Sequence, residues 1–164
     1  MPSKHHSKTS SYHRLVQVAV IGSGAEWCGQ AEEVGRLLAE RGCVVVCGGL
    51  GEVMEAAARG AKAGGGTTLG ILPGVDPAAA NPWIDHVVAT GTGHARNLAV
   101  VASCAAAVAV GGRWGTAAEI AYARLLGRPV VVLGAGPAID GDGVERAEMP
   151  TEAVELVLRL VAAA

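Results

Sequence analysis

The chain has 164 residues, of which 24 are Gly and none is Phe; 51% are hydrophobic, 3% aromatic and 17% charged, with a formal net charge of −2. That length suits one domain of roughly 100–200 residues, with a core of Val, Leu, Ile and Ala. The charge leaves no basic footprint for duplex nucleic acid, three Trp and two Tyr cannot build a stacking platform for single strands, and no apolar run reaches the ~18 residues of a membrane span.

Residues 1–13 are polar and lack the apolar stretch of a secretory signal. They read as a disordered tail before a single domain over residues 14–164. Leu15–Ile21 is a predicted strand, followed by Gly22-Ser23-Gly24. Gln30–Arg41 has helical periodicity, with Val34, Leu37 and Leu38 on one face, Glu32 and Arg36 as an i,i+4 pair, and Gly42 as its stop. Cys43–Cys47 is a strand, then Gly48-Gly49-Leu50-Gly51. Glu52–Ala63 is an Ala-rich helix ended by Gly64-Gly65-Gly66, and Thr67–Leu72 is a strand ended by Pro73. After a Pro/Ala loop over 74–82, Ile84–Thr90 is a strand, His94–Cys104 a helix and Ala106–Val110 a strand. Gly111-Gly112-Arg113-Trp114-Gly115-Thr116 leads into a helix over Ala117–Leu126, followed by a strand over Pro129–Leu133 and a last helix over Pro150–Val161.

Strand and helix alternate about five times, and the Val-rich strands lack period-two alternation. Both features predict an α/β fold: a single doubly wound, mainly parallel sheet with helices on both faces, Rossmann-like. The four cysteines, at 28, 43, 47 and 104, have no zinc spacing, and no metal site is predicted. Cys43 and Cys47, four apart on a strand, lie about 13 Å apart, too far for a disulfide. Free thiols without a signal sequence predict a reducing, cytoplasmic setting.

Glycine gathers where a strand turns into a helix, at 22–24, 48–51, 91–93 and 111–115. In an open parallel sheet these turns line the carboxyl edge, where ligands bind. Free N–H groups and the positive dipole end of a helix suit phosphate there. A small phosphorylated ligand is therefore the expected partner. The dinucleotide fingerprint fails, because Trp27 stands at the third glycine position and Cys47-Gly48 replaces the ribose-binding acid. The Lys-Ser/Thr of a P-loop and the G-x-S-x-G elbow are also absent.

Gly115-Thr116-Ala117-Ala118-Glu119 resembles the P-G-G-x-G-T-x-x-E motif of the LONELY GUY (LOG) family. Cys47-Gly48-Gly49-Leu50-Gly51-Glu52-Val53-Met54-Glu55 is similar to that family's second glycine loop with its helix-opening Met, and Gly93-His94-Ala95-Arg96-Asn97 to its arginine segment. The resemblance runs over about residues 15–135. Gly70-Ile71-Leu72-Pro73-Gly74 and Ala80-Asn81-Pro82 resemble a short bacterial branch that includes molybdenum cofactor carrier-like proteins.

The resemblance implies a nucleoside 5′-monophosphate phosphoribohydrolase or a carrier, with Arg96 and Glu119 as catalytic pair and phosphate contacts at Gly112, Gly115 and Thr116. Gly22, Ser23, Gly24, Gly48, Gly49, Gly51, Met54, Asn97, Arg113 and Trp114 complete the expected ligand-binding set. In glycosidic cleavage a carboxylate stabilises the oxocarbenium-like state and orients water, while an arginine holds phosphate bidentately. Three departures stand out. One residue more separates the Gly pair from Gly115-Thr116, Asn97 replaces the enzymes' Lys, and the motif proline is absent. Asn97 and Arg113 speak for binding a phosphorylated purine or pterin, the intact Arg96/Glu119 pair for hydrolysis. Thr116-x-x-Glu119 also reads as a capping box.

No cofactor is required on this reading; a nucleoside monophosphate or a molybdenum cofactor is the implied bound molecule. The family resemblance further implies a homodimer or homotetramer paired through the helices that carry Arg96 and Glu119. Leu98, Val100, Val101, Tyr122, Leu125 and Leu126 either supply that contact or cover the sheet.

Overall fold

The computed structural model describes residues 14–164, so the predicted N-terminal tail lies outside the described residues. Seven strands form one sheet: β1 (Gln17–Ser23), β2 (Val44–Cys47), β3 (Thr68–Leu72), β4 (His86–Ala89), β5 (Ala106–Gly111), β6 (Val130–Leu133) and β7 (Val144–Ala147). All pairings are parallel and the order is β4-β3-β2-β1-β5-β6-β7. Five helices accompany them: α1 (Cys28–Glu40), α2 (Val53–Ala63), α3 (Arg96–Ala102), α4 (Trp114–Leu125) and α5 (Pro150–Ala162). The fold is the doubly wound, Rossmann-like α/β sheet that the strand patterning predicts.

Burial explains why strand alternation is missing. Val18 and Val20 of β1 join a core with Val34 and Leu38 of α1, Ala57 of α2 and Val154 of α5. Their neighbours Ala19 and Ile21 join a second core with Val100 and Val101 of α3 and Ile120 of α4. Both faces of the sheet are thus apolar, one under α1, α2 and α5, the other under α3 and α4. Val100 and Val101 belong to this sheet cover, whereas Leu98, Tyr122, Leu125 and Leu126 are exposed.

With no Phe to fill space, α1 and α2 meet backbone to backbone. A Cβ on Gly35 would lie 2.0 Å from the Ala57 carbonyl oxygen, and one on Gly60 1.8 Å from that of Glu32. The predicted Glu32–Arg36 pair is not formed. Arg36 bonds Glu33 and Glu40, and Glu32 instead accepts from Arg59 of α2 at 3.0 Å.

Two further differences from the sequence reading bear on the site. β7 was not predicted: it is an edge strand, half exposed, with Glu145 and Arg146 at its centre. Helix α4 begins at Trp114, three residues earlier than predicted, with Arg113 at its N-cap and no side-chain cap. Thr116 therefore lies within the first turn, buried, rather than capping it. All four cysteines are free thiols. Among the described residues, no helix is long and apolar enough to cross a membrane and no metal-binding cluster occurs.

Candidate functional site

Strand order reverses between β1 and β5. β1 leads to α1 on one face, β5 to α4 on the other, and Ser23 pairs with Gly111 at the carboxyl ends. This topological switch point is where doubly wound sheets bind ligands. A cavity of about 130 Å³ sits there, lined by Val20, Ile21, Gly22, Ser23, Gly48, Met54, Arg96, Asn97, Gly115, Thr116 and Glu119. The structure thereby gathers most of the predicted residues from four separate turns. Val20 and Ile21, which sequence reasoning left in the strand, also reach it.

Arg96 opens α3, and its guanidinium is anchored across the strand ends. Nη1 donates to the Ile71 carbonyl at 2.7 Å and also to the Gly48 carbonyl. Gly48 is required for this approach, since a Cβ there would stand 2.1 Å from Nη1 and 2.5 Å from the Met54 sulfur. The Arg96 Nε is buried and has no hydrogen-bond partner. Burial lowers the Arg96 pKa, partly opposed by Glu119 and then Cys47.

Glu119 lies one turn into α4. Burial pushes its carboxyl up to about 7, against the pull of Arg96. It forms no ion pair among the described residues, and it does not reach back to a cap, because the helix begins before Thr116. At the helix start, the N–H groups of Trp114, Gly115 and Thr116 find no backbone acceptor, and the bonded ladder begins with Ala117 donating to Arg113. These free donors and the helix dipole favour an anion.

Other predicted residues fall elsewhere. The Gly24 N–H is taken by the Glu52 carboxylate at 2.8 Å. Gly49 donates to the Cys47 sulfur, and its carbonyl accepts from Asn81. Gly51 is exposed and outside the cavity. Gly112 donates to the Ser23 carbonyl. Together with Arg113 and Trp114 it borders an apolar cavity of about 430 Å³ that Pro137, Ala138 and Ile139 complete. Trp114, 89% exposed, also lines a wider hollow of about 510 Å³ with His94, Ala95, Asn97, Gly115, Ala118 and Tyr122. Asn97 and Gly115 are shared between this hollow and the Arg96/Glu119 cavity.

Trp27, at the position of the missing third glycine, closes the β1–α1 turn from beneath. A Cβ on Gly111 would meet its ring at 2.2 Å, and one on Gly134 at 2.8 Å. Sequence reasoning missed Glu52, whose backbone holds φ at +53°.

A model described as the SLOG cluster4 family matches residues 15–160. A protein of Archaeoglobus fulgidus is 44% identical over 144 residues, covering 86% of this chain and 93% of that protein. The structure is similar to the molybdenum cofactor binding protein from Rippkaea orientalis, with a TM-score of 0.83, 30% identity, and coverage of 91% of this chain and 99% of that one. It is also similar to the molybdenum cofactor carrier protein of Chlamydomonas reinhardtii, with a TM-score of 0.81, 33% identity, and coverage of 91% and 99%. DNA processing protein A of Streptococcus pneumoniae, at 21% identity and a TM-score of 0.67 over 86% of this chain and 61% of that one, shares the fold.

Proposed function

The chain belongs to the SLOG cluster4 family, and we propose that it binds one small phosphorylated purine- or pterin-type molecule at the switch point, as a carrier of the molybdenum-cofactor type. The observation that carries this reading is the pairing of unused donors in one cavity. The buried Arg96 Nε has no partner, and the α4 N–H groups of Gly115 and Thr116 lack backbone acceptors. A buried donor left unmet, as the Arg96 Nε is, costs free energy that an anion would recover. The similarity to two molybdenum cofactor-binding proteins over nearly their full lengths supports the ligand class.

The cavity of about 130 Å³ is smaller than the roughly 300–1,000 Å³ of sites that hold drug-sized ligands. It suits a phosphate and part of a sugar or pyran. The adjoining hollow, walled by Trp114 and Tyr122, offers aromatic surface for a flat ring. On this reading Arg96 and the α4 N-terminus hold the phosphate, Asn97 and Gly115 join the two compartments, and Trp114 flanks the heterocycle.

The state of Glu119 favours a second reading, hydrolysis of a nucleoside 5′-monophosphate at its N-glycosidic bond. A carboxyl titrating near 7 is matched to proton transfer at neutral pH. Ionised Glu119 would stabilise positive charge on the sugar as the C1′–N bond breaks and its electron pair leaves with the base. It would then take the proton of the water that bonds to C1′ and give it up to the departing base, with Arg96 holding the phosphate. A homodimer through the outer faces of α3 and α4, where Leu98, Tyr122 and Leu125 are exposed, belongs to the same proposal.

One experiment separates the two. The protein is incubated with AMP and other monophosphates, and the products are chromatographed for free base and ribose 5-phosphate. In parallel, retention of molybdenum cofactor is measured by gel filtration. Cofactor retention lost in Arg96→Ala, with no base release, supports the carrier. Base release abolished by Glu119→Gln overturns it in favour of the hydrolase.

A further inference from the structure

The carboxyl edge of the sheet carries two glycine turns on the β1/β2 side that, by composition, are as suited to phosphate as the α4 start. The structure treats them differently. Glu52, at the N-cap of α2, reaches across to the β1–α1 turn and accepts the Gly24 N–H at 2.8 Å. The donor that a second phosphate would use is already bonded to a carboxylate of the chain itself.

Glu52 does this from an unfavourable backbone conformation. At φ +53° and ψ −126°, it is the one non-glycine residue with positive φ among the described residues. Such geometry favours glycine, and a side chain persists there only where its surroundings hold it. Here the holding contact is the bond to Gly24.

Glu52 is not alone. A Cβ on Gly24 would lie 3.0 Å from the Glu26 carboxylate, so a second acid borders the same turn. The neighbouring Cys28 thiol is pushed up by burial and then by Glu52, with Glu55 and Glu26 adding to it and only Arg59 opposing. The edge is therefore divided. Around β1–α1 it is acidic and its glycine donor is occupied; at Arg96 and the α4 start it is rich in donors without acceptors.

We infer that Glu52 is a specificity-determining residue that limits the ligand to a single phosphate, by filling the place where the second phosphate of a diphosphate or dinucleotide would lie. The inference rests on the proposed phosphate site at α4 and on Ser23, beside Gly24, and Met54, two residues after Glu52, both of which line that cavity. Like charges brought together repel, so a diphosphate reaching the β1–α1 turn is repelled as well as deprived of its donor.

The test is an amide NMR titration of the wild-type chain and Glu52→Gly with inorganic phosphate and pyrophosphate, then with AMP and ADP. Glycine adopts the conformation of residue 52 freely, so the variant is expected to fold. In the wild type, Gly115 and Thr116 resonances move with phosphate and AMP, while pyrophosphate and ADP bind no more tightly. In Glu52→Gly, the affinity for pyrophosphate and ADP rises roughly tenfold relative to phosphate and AMP, and the Gly24 resonance moves with them. Glu52→Gln, which keeps an acceptor without the charge, falls between. Ratios unchanged in Glu52→Gly, with Gly115 and Thr116 still responding, overturn the inference alone. No response of Gly115 and Thr116 to any probe overturns the phosphate site and the inference with it.

Discussion

Arg96 and Glu119 line the same cavity without closing into an ion pair. Arg96 is held back by the Gly48 and Ile71 carbonyls, and Glu119 is raised to about 7 rather than stabilised as a carboxylate. On the proposed reading, the space between them holds a ligand that carries its own charge.

The raised Glu119 pKa gives a pH dependence with a definite sign. Its folded pKa of about 7 exceeds the reference of 4.5. Its protonated form therefore adds stability that is fully present below pH ~4.5 and lost as pH rises through ~7. At pH 8 Glu119→Gln is expected to be more stable than wild type by up to about 3 kcal/mol, with the difference fading toward pH 4.5. Urea denaturation across that range checks it; equal differences at both ends would refute the assignment. Phosphate affinity is expected to weaken as pH rises through ~7, since ionised Glu119 then opposes the anion.

Arg96 is expected to resist conservative exchange. A lysine Nζ could meet the two carbonyls that Arg96 Nη1 meets, but it leaves no further nitrogen, such as the unpartnered Nε, for a ligand. Arg96→Lys is expected to lose roughly 10- to 100-fold in AMP or cofactor affinity, as measured by equilibrium dialysis. Retained affinity would mean that Arg96 only ties strand ends together.

Gly48→Ala tests the same anchor from the other side. Its Cβ would overlap Arg96 Nη1 and the Met54 sulfur, both ends of side chains. The expected stability cost is about 1–3 kcal/mol, while ligand binding falls below detection because the guanidinium is displaced. A thermal melt paired with dialysis reads the two effects separately.

At position 52 the usual order of glycine and alanine is expected to invert. Alanine keeps the strained φ of +53° and loses the bond to Gly24, whereas glycine loses the bond and the strain. Such strain is of order 1–3 kcal/mol. Glu52→Gly should therefore melt above Glu52→Ala, and the reverse order in calorimetry would show that the backbone is relaxed there.

For the proposed dimer, Leu125 is the informative position, being 81% exposed on the outer face of α4. Leu125→Glu is expected to give a monomer by light scattering with an unchanged melting temperature at low concentration. An unaltered mass would place any assembly elsewhere.

Most of the fold was legible because apolar runs of strand length alternate with helical periodicity, with glycine or proline marking most of the breaks. The boundaries of β1 to β6 shift by only one or two residues from expectation. β7 escaped because Val144, Glu145, Arg146 and Ala147 form an edge strand with one apolar residue at each end, so hydrophobicity gave no signal. The start of α4 escaped because Trp114 and Gly115 look like loop residues, although a helix tolerates glycine in its first turn. Within the candidate site, Arg96 and Glu119 were marked by the family resemblance of their motifs, and both line the cavity. The role of Glu52 was hidden, since positive φ leaves no mark in composition and the contact with Gly24 joins residues 28 apart.

The backbone contact between α1 and α2 has a mechanical consequence. With Gly35 against Ala57 and Gly60 against Glu32, the two helices have no compressible side-chain layer between them. They are expected to behave as one stiff beam, and the turns before their N-terminal ends, bearing Gly24 and Glu52, to keep a fixed separation. Gly60 lies toward the opposite end of that beam from Glu52. A methyl group added there is expected to prise the beam apart and to shift the gap between the two turns that Glu52 bridges.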